Sequence, residues 1–124
     1  MDFRLSDEQQ AVQDLAREFA QNVCAPTAAE RDKNEAFPDA EWKKAAEIGL
    51  AGIIVPEEYG GGGMGNLALS LALIEVNKAD ASVGVTLSVH NSLCNSCITH
   101  WASEETKHKY LPKLASGEWL GGYA

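Results

Sequence analysis

The sequence predicts an all-α fold, a multi-helix domain built around a central buried helix and ending at the start of a β-strand. Three observations predict it. The stretch Asp80 to Trp101 places Val83, Leu87, Leu93, Cys94, Cys97, Ile98 and Trp101 within one arc of roughly 140° on a helical wheel, wide enough to face a packed core. The stretch Ser6 to Val23 keeps apolar residues at helical spacing, and Leu67 to Lys78 is apolar around much of its circumference. Two further features mark the central stretch. Gly84, Ser88, Ser92 and Ser96 follow one another at i, i+4, a row of small side chains that lets a ligand or another backbone come close. Thr86, Val89 and Leu93 share a narrower arc of about 60° on a side that solvent would normally claim. A helix with two faces kept from solvent expects two neighbours, and in the plainest case both are helices.

A chain of 124 residues is expected to form one domain and to bury roughly two-thirds of its apolar surface without disulfides or metals. Its 10 Lys+Arg against 18 Asp+Glu give a net charge of −8, which repels phosphate backbones and anionic membranes, so no nucleic acid and no membrane is expected as a partner. No apolar run approaches a signal h-region or a membrane span. Three cysteines in no disulfide-framework spacing fit thiols kept reduced, in a cytoplasmic or mitochondrial-matrix compartment rather than outside the cell.

The first element is Ser6 to Val23. Ser6 and Gln9 form a capping-box pattern, Asp7 and Glu8 favour the positive end of the helix dipole, and Val12, Leu15, Ala16, Phe19, Ala20 and Val23 form the inner face. Pro26 marks a break or a new first turn, and in Thr27 to Asn34 the residues Glu30, Arg31, Asp32 and Lys33 read as a solvated face. Phe37-Pro38 opens a third helix, Asp39 to Ile48, with Trp42, Ala45, Ala46 and Ile48 inward and Gly49 as its left-handed terminator. Leu50 to Tyr59 reads as extended backbone, because Ile53-Ile54-Val55 is β-branched and Pro56 stops it. Gly60 to Gly63 could suggest a phosphate-binding loop, but no Gly-Lys-Ser/Thr follows and no dinucleotide fingerprint opens the next helix, so a connecting loop is expected.

Asn66 can cap the helix Leu67 to Lys78, and Asp80 caps the central one. Ser103 caps a last helix with Glu104 and Glu105 in its first turn, Tyr110, Leu111 and Leu114 inside, and Gly117 after its end; Pro112 implies a kink or an early stop. Glu118 to Ala124 then changes to strand-like character. An unpaired apolar strand is open to aggregation, so the chain is expected to be part of something longer, with residues 1–117 a helical domain and 118–124 the start of another.

His90, Cys94, Cys97 and His100 lie on one side of one helix and invite a zinc or redox reading. Ten residues at about 1.5 Å rise separate the two histidines by roughly 15 Å, too far for one tetrahedral ion, and a lone C-x-x-C without a preceding strand fits core thiols. No metal site is expected.

Several runs together resemble one family. They are M-D-F-R-L-S-D-E-Q-Q at Met1 to Gln10, F-P at Phe37-Pro38, G-L-A-G-I-I-V-P-E-E-Y-G-G at Gly49 to Gly61, A-D-A-S-V-G-V at Ala79 to Val85, S-V-H-N-S-L at Ser88 to Leu93 and K-Y-L-P-K-L-A-S-G at Lys109 to Gly117. In order and spacing they are similar to the N-terminal helical domain of the flavin-dependent acyl-CoA dehydrogenases, over essentially the whole chain, and S-V-H-N-S-L looks closest to short-chain members.

The resemblance implies a helical N-terminal domain followed by a middle β-domain and a C-terminal helical bundle, assembled as a homotetramer or sometimes a dimer. It implies α,β-dehydrogenation of an acyl-CoA thioester by a carboxylate base and FAD, with electrons passed on to an electron-transferring flavoprotein. The catalytic Glu of the family lies in the C-terminal domain, so no catalytic residue is expected here and the segment alone is expected to be inactive. One wall of the acyl pocket falls on Thr86, Val89 and Leu93, and the start of the flavin- and substrate-binding loop falls on Tyr123 and Ala124. A different class of function also fits the two-faced helix: a non-enzymatic interaction module that docks a partner helix there. A flavin-binding β-domain after Ala124 would separate the first from the second. Without the resemblance, the Thr86 hydroxyl has an ordinary use in bonding back to the preceding turn.

Overall fold

The computed structural model of the chain describes residues 3–124, so the first two letters of the Met1 to Gln10 run lie outside the described residues. Among the described residues the chain forms five continuous helical stretches, 7–33, 39–47, 65–79, 81–101 and 104–115, and no strand. The first opens as α1 (Asp7–Phe19) on the expected capping box: the Gln9 backbone N–H donates to Ser6 Oγ at 3.2 Å, and the Ser6 N–H donates to Gln9 Oε1 at 3.0 Å. It does not break at Pro26. A π-helical segment, Ala20–Cys24, carries it into α2 (Ala25–Lys33) with Pro26 in the first turn. The widened π turn loosens the backbone ladder where the ring lacks an N–H and would crowd the carbonyl four residues back.

Arg31 corrects the expectation of a wholly solvated α2. Its side chain is 11% exposed and pairs with Glu41 of α3 (Asp39–Glu47) and with Asp80, while Glu30, Asp32 and Lys33 are exposed. One helix face thus carries both a solvated row and a buried cation, a distinction that charge patterning along the sequence does not carry.

Leu50 to Tyr59 is not extended. Two 3₁₀ turns, Leu50–Gly52 and Glu57–Tyr59, flank a tight coil in which Ile53 and Val55 are buried. Propensity favoured a strand, but no strand is available as a partner among the described residues, and the backbone groups are satisfied by the glycine run folding back: Gly62, Gly63 and Met64 donate to Gly52, Val55 and Ile53 at 2.8, 2.9 and 2.9 Å. At Gly61 an added Cβ would lie 2.0 Å from the Val55 carbonyl oxygen, so the close approach needs glycine.

The helix α4 (Gly65–Ala79) begins before Asn66, which therefore does not cap it; Met64 precedes the first turn and provides no side-chain cap. It packs on α1 and α5 through Ala68, Leu69, Ala72 and Val76. Leu67 and Ile74 remain about half exposed, at 53% and 51%, so α4 is less enclosed than its composition implies: its two neighbours cover adjoining faces and leave a third open.

The central stretch is one helix in three parts, α5 (Ala81–Ser88), a π-helical segment Val89–Asn95, and α6 (Ser96–Trp101). Asp80 caps it by accepting from the backbone N–H groups of Ser82 and Val83 at 2.8 and 3.3 Å. Val83 and Leu87 are buried as expected, but Leu93 is 45% exposed, Trp101 is 85% exposed and Cys97 is also exposed. His90, Asn91 and Asn95 are buried in their place, and Cys94 and Ile98 are partly covered. A π turn bonds i to i+5 and absorbs one residue more than an α turn, so every position beyond it rotates off the uniform wheel.

The last helix, α7 (Glu104–Ala115), is capped by Ser103 and runs three residues past Pro112 before Gly117 turns it at φ 73°. An early stop is averted because Leu111, Leu114 and Ala115, on both sides of the proline, are buried. Residues 118–124 form irregular chain rather than a strand: Trp119 N–H donates to the Lys113 carbonyl at 3.1 Å, a bond that turns the chain back on α7. The main core gathers Ala16, Phe19, Trp42, Leu50, Leu69, Val76 and Leu87, and a smaller one joins Val55 and Tyr59 to Leu111 and Ala115.

Candidate functional site

The face of the central helix that bears Thr86, Val89 and Leu93 is only partly covered by the rest of the chain. Thr86 and Val89 are half-buried and Leu93 is more exposed than either. The Thr86 hydroxyl donates to the Ser82 carbonyl at 2.9 Å, and Ser92 does the same to Ser88 at 2.7 Å. Both hydroxyls therefore satisfy themselves within the helix, which leaves the face less polar than its letters suggest.

The small-residue row divides. Gly84 is buried, and a Cβ there would meet the Asn77 carboxamide at 2.4 Å, so its close approach is to α4. Ser92 is exposed, with Ser88 and Ser96 half-buried.

Tyr123 is 67% exposed and Ala124 is also exposed, so both present side chain and backbone to whatever lies alongside. The tail reaches the central helix slightly earlier, at Gly121, where an added Cβ would lie 2.4 Å from Cys94 Sγ. Cys94 follows Leu93 directly, so the two predicted groups of residues are tied to the same turn, although they do not form one closed pocket in this chain. Burial raises the Cys94 thiol above its ordinary pKa and pushes Cys24 up to about 12, so both stay protonated at neutral pH.

The inward side of the same segment was missed by pattern reasoning. The Asn91 side-chain amide donates to the carbonyls of Leu50 and Leu87 at 3.0 and 3.1 Å, and Asn95 donates to Ala51 at 3.1 Å. His90 uses both ring nitrogens on backbone, at Leu114 and Gly121, and its ring meets Trp42 edge-on at 4.7 Å. The available signal was the polar pair His90-Asn91 between the apolar positions Leu87 and Leu93, since a polar side chain turned inward is tolerated where its donors meet backbone carbonyls. His100 Nδ1 lies 2.7 Å from the Ser96 carbonyl, and no group of three or more His, Cys, Asp or Glu is placed to hold a metal among the described residues.

The profile of the family described as acyl-CoA dehydrogenase, N-terminal domain, matches residues 6–118. The short-chain-specific acyl-CoA dehydrogenase of Clostridium acetobutylicum is 46% identical over 123 residues, which are 99% of this chain and 32% of that protein. The chain thus spans about a third of the length of this relative. Butyryl-CoA dehydrogenase of Megasphaera elsdenii superposes with a TM-score of 0.90 at 37% identity, over 98% of this chain and 32% of that one. An acyl-CoA dehydrogenase of Bacillus anthracis, solved in complex with FAD, superposes with a TM-score of 0.86 at 32% identity, over 94% of this chain and 20% of that one. A family profile matching from the Ser6 cap to Glu118, with a fold shared by solved members, establishes that the chain belongs to the acyl-CoA dehydrogenase family as its N-terminal helical domain.

Proposed function

We propose that this chain supplies one wall of the acyl pocket in an FAD-dependent dehydrogenase of short-chain acyl-CoA thioesters. The observation that carries the reading is the outward face of Thr86, Val89 and Leu93, apolar and only partly covered, in a helix whose other side is locked into the core. An open apolar face on a rigid helix can close a pocket once further chain lies across it. The short-chain preference is supported by the likeness to a short-chain-specific relative and to a butyryl-CoA dehydrogenase.

FAD fits the family, and two structural neighbours were solved with it. Within this chain Tyr123 and Ala124 are the residues that would reach the cofactor, through an exposed aromatic ring and exposed backbone. When bound, the flavin supplies an acceptor for the hydride that leaves the β-carbon. This chain's part is to orient the acyl tail and exclude water from it; the base that removes the α-proton lies outside residues 1–124. Electron-transferring flavoprotein as acceptor, assembly as a homotetramer, and a cytoplasmic or mitochondrial-matrix location complete the proposal. No helix among the described residues is long and apolar enough to cross a membrane.

The test is to express the chain together with the sequence that follows it, purify the product and mix it with butyryl-CoA. The expected result is a bound flavin whose visible absorbance bleaches, with transfer of electrons to electron-transferring flavoprotein and no turnover by residues 1–124 alone. A product that holds no flavin, or whose flavin no saturated acyl-CoA reduces, would contradict the proposal.

A further inference from the structure

His90 is fully buried, and its two ring nitrogens have different tasks. Gly121 N–H donates to Nδ1 at 2.9 Å, which requires Nδ1 to carry a lone pair; Nε2 therefore carries the proton and donates to the Leu114 carbonyl at 3.0 Å. The imidazole thus bridges the end of α7 and the outgoing tail. Trp42, edge-on to the same ring, donates through Nε1 to the Gly117 carbonyl at 3.2 Å, a second tie on the same stretch. The ring faces inward because the π segment turns it there, and the neighbouring Asn91 and Asn95 pin that segment to Leu50 and Ala51.

We propose that His90 is a positioning residue: a protonation-sensitive latch that holds the Gly121 backbone on the central helix and so sets the direction in which the chain leaves toward Tyr123 and Ala124. Its consequence for the flavin rests on the function proposed above; the latch itself does not. A proton added to imidazole goes to Nδ1, converting the acceptor into a donor that faces the Gly121 N–H, and the bond is replaced by donor–donor repulsion. The tail must then swing away, while Nε2 can still donate to Leu114.

The surroundings keep the ring neutral. Burial lowers its pKa below the ordinary histidine value, opposed by the carbonyls of Leu114 and Ala51, and no charged side chain among the described residues is one of the influences on it. From α3 the ring meets Trp42, from α7 the Leu114 carbonyl, and from the tail Gly121, itself against the protonated Cys94 thiol. Lys113, next to Leu114 in the chain, pairs with Glu118 at 3.1 Å. The unfolded histidine binds a proton more readily than the folded one, so the latch is fully present above the ordinary value of about 6.5 and is lost as pH falls through the lower folded value.

Amide hydrogen exchange on residues 1–124, followed by NMR from neutral to mildly acidic pH and corrected for the intrinsic pH dependence of exchange, tests this. Gly121 should be protected at neutral pH and lose roughly tenfold or more of that protection on acidification, while Ala16 and Val76 in the main core hold theirs. His90→Gln offers a carbonyl acceptor and an N–H donor but no proton to gain, so its Gly121 protection should not change with pH. His90→Phe should leave Gly121 unprotected throughout; if that variant does not fold, the wild-type titration and His90→Gln still decide. Gly121 exchange that ignores pH in the wild type, that titrates equally in His90→Gln, or that is lost only together with Ala16 would overturn the latch. No flavin or substrate is involved, so failure here leaves the dehydrogenase reading standing, and failure of that reading leaves the latch.

Discussion

Asp80 has two tasks that a single carboxylate can perform only where a helix start and a cation meet. One oxygen accepts from the backbone and hydroxyl of Ser82 and the backbone of Val83, and the other pairs with Arg31, which also binds Glu41. Burial raises the Asp80 pKa and is the largest single influence, but the Ser82 and Val83 donors and Arg31 together outweigh it and hold the carboxyl below its ordinary value. Asp80→Ala removes the cap and one of the two carboxylates paired with the buried Arg31, a loss of about 2–4 kcal/mol in urea unfolding. Asp80→Asn keeps an accepting oxygen for the helix and should lose less; equal losses would mean the ion pair, and not the cap, dominates. The folded pKa lies below the unfolded one, so this stabilisation is complete above about pH 4 and is lost as pH falls through the folded value, which a urea series in that range would show as a falling midpoint. The cap was legible in the sequence from Asp80 preceding an apolar run; the ion pair was not, because Arg31 and Asp80 are brought together by tertiary packing alone.

The same divide holds for whole elements. Ser6, Asp80, Ser103, Gly49 and Gly117 set helix ends through local chemistry, and the structure places each as read. The two π segments were not legible, since a wheel assumes one constant angle per residue and a π turn breaks that constancy without a required residue type. The 3₁₀ coil at Leu50–Tyr59 was hidden for another reason: its β-branched residues favour a strand, and the glycine run folding back onto Gly52, Ile53 and Val55 decides otherwise. Thiol labelling checks the central π segment directly. A uniform α-helix buries Cys94 and Cys97 alike, whereas the structure exposes Cys97, half-covers Cys94 under Gly121 and buries Cys24. With a thiol reagent on the folded protein, Cys97 should react first and Cys24 last, the two separated by about a hundredfold or more because burial holds the Cys24 thiol protonated. Equal protection of Cys94 and Cys97 would restore the uniform wheel.

At the scale of the molecule the chain is a helical body with two partly open apolar surfaces, the Leu67 and Ile74 row on α4 and the outward face of the central helix. The second face was legible because Thr86, Val89 and Leu93 formed an apolar arc with no assigned neighbour, and the proposed acyl pocket rests on that arc. Its position opposite a buried His90-Asn91-Asn95 anchor was not legible, yet it is what makes the face stiff. The central claim is that these side chains line an acyl pocket, and substrate discrimination in the complete enzyme tests it. The quantity to measure is the ratio of kcat/KM for butyryl-CoA to that for octanoyl-CoA, since discrimination is a difference in transition-state stabilisation. Leu93→Ala opens room for a longer tail and should lower the ratio about tenfold, and Val89→Phe fills that room and should raise it about tenfold, each being one to two methylenes of contact at ~0.8 kcal/mol. Equal changes on both substrates would mean that Val89 and Leu93 support the helix and do not line the pocket.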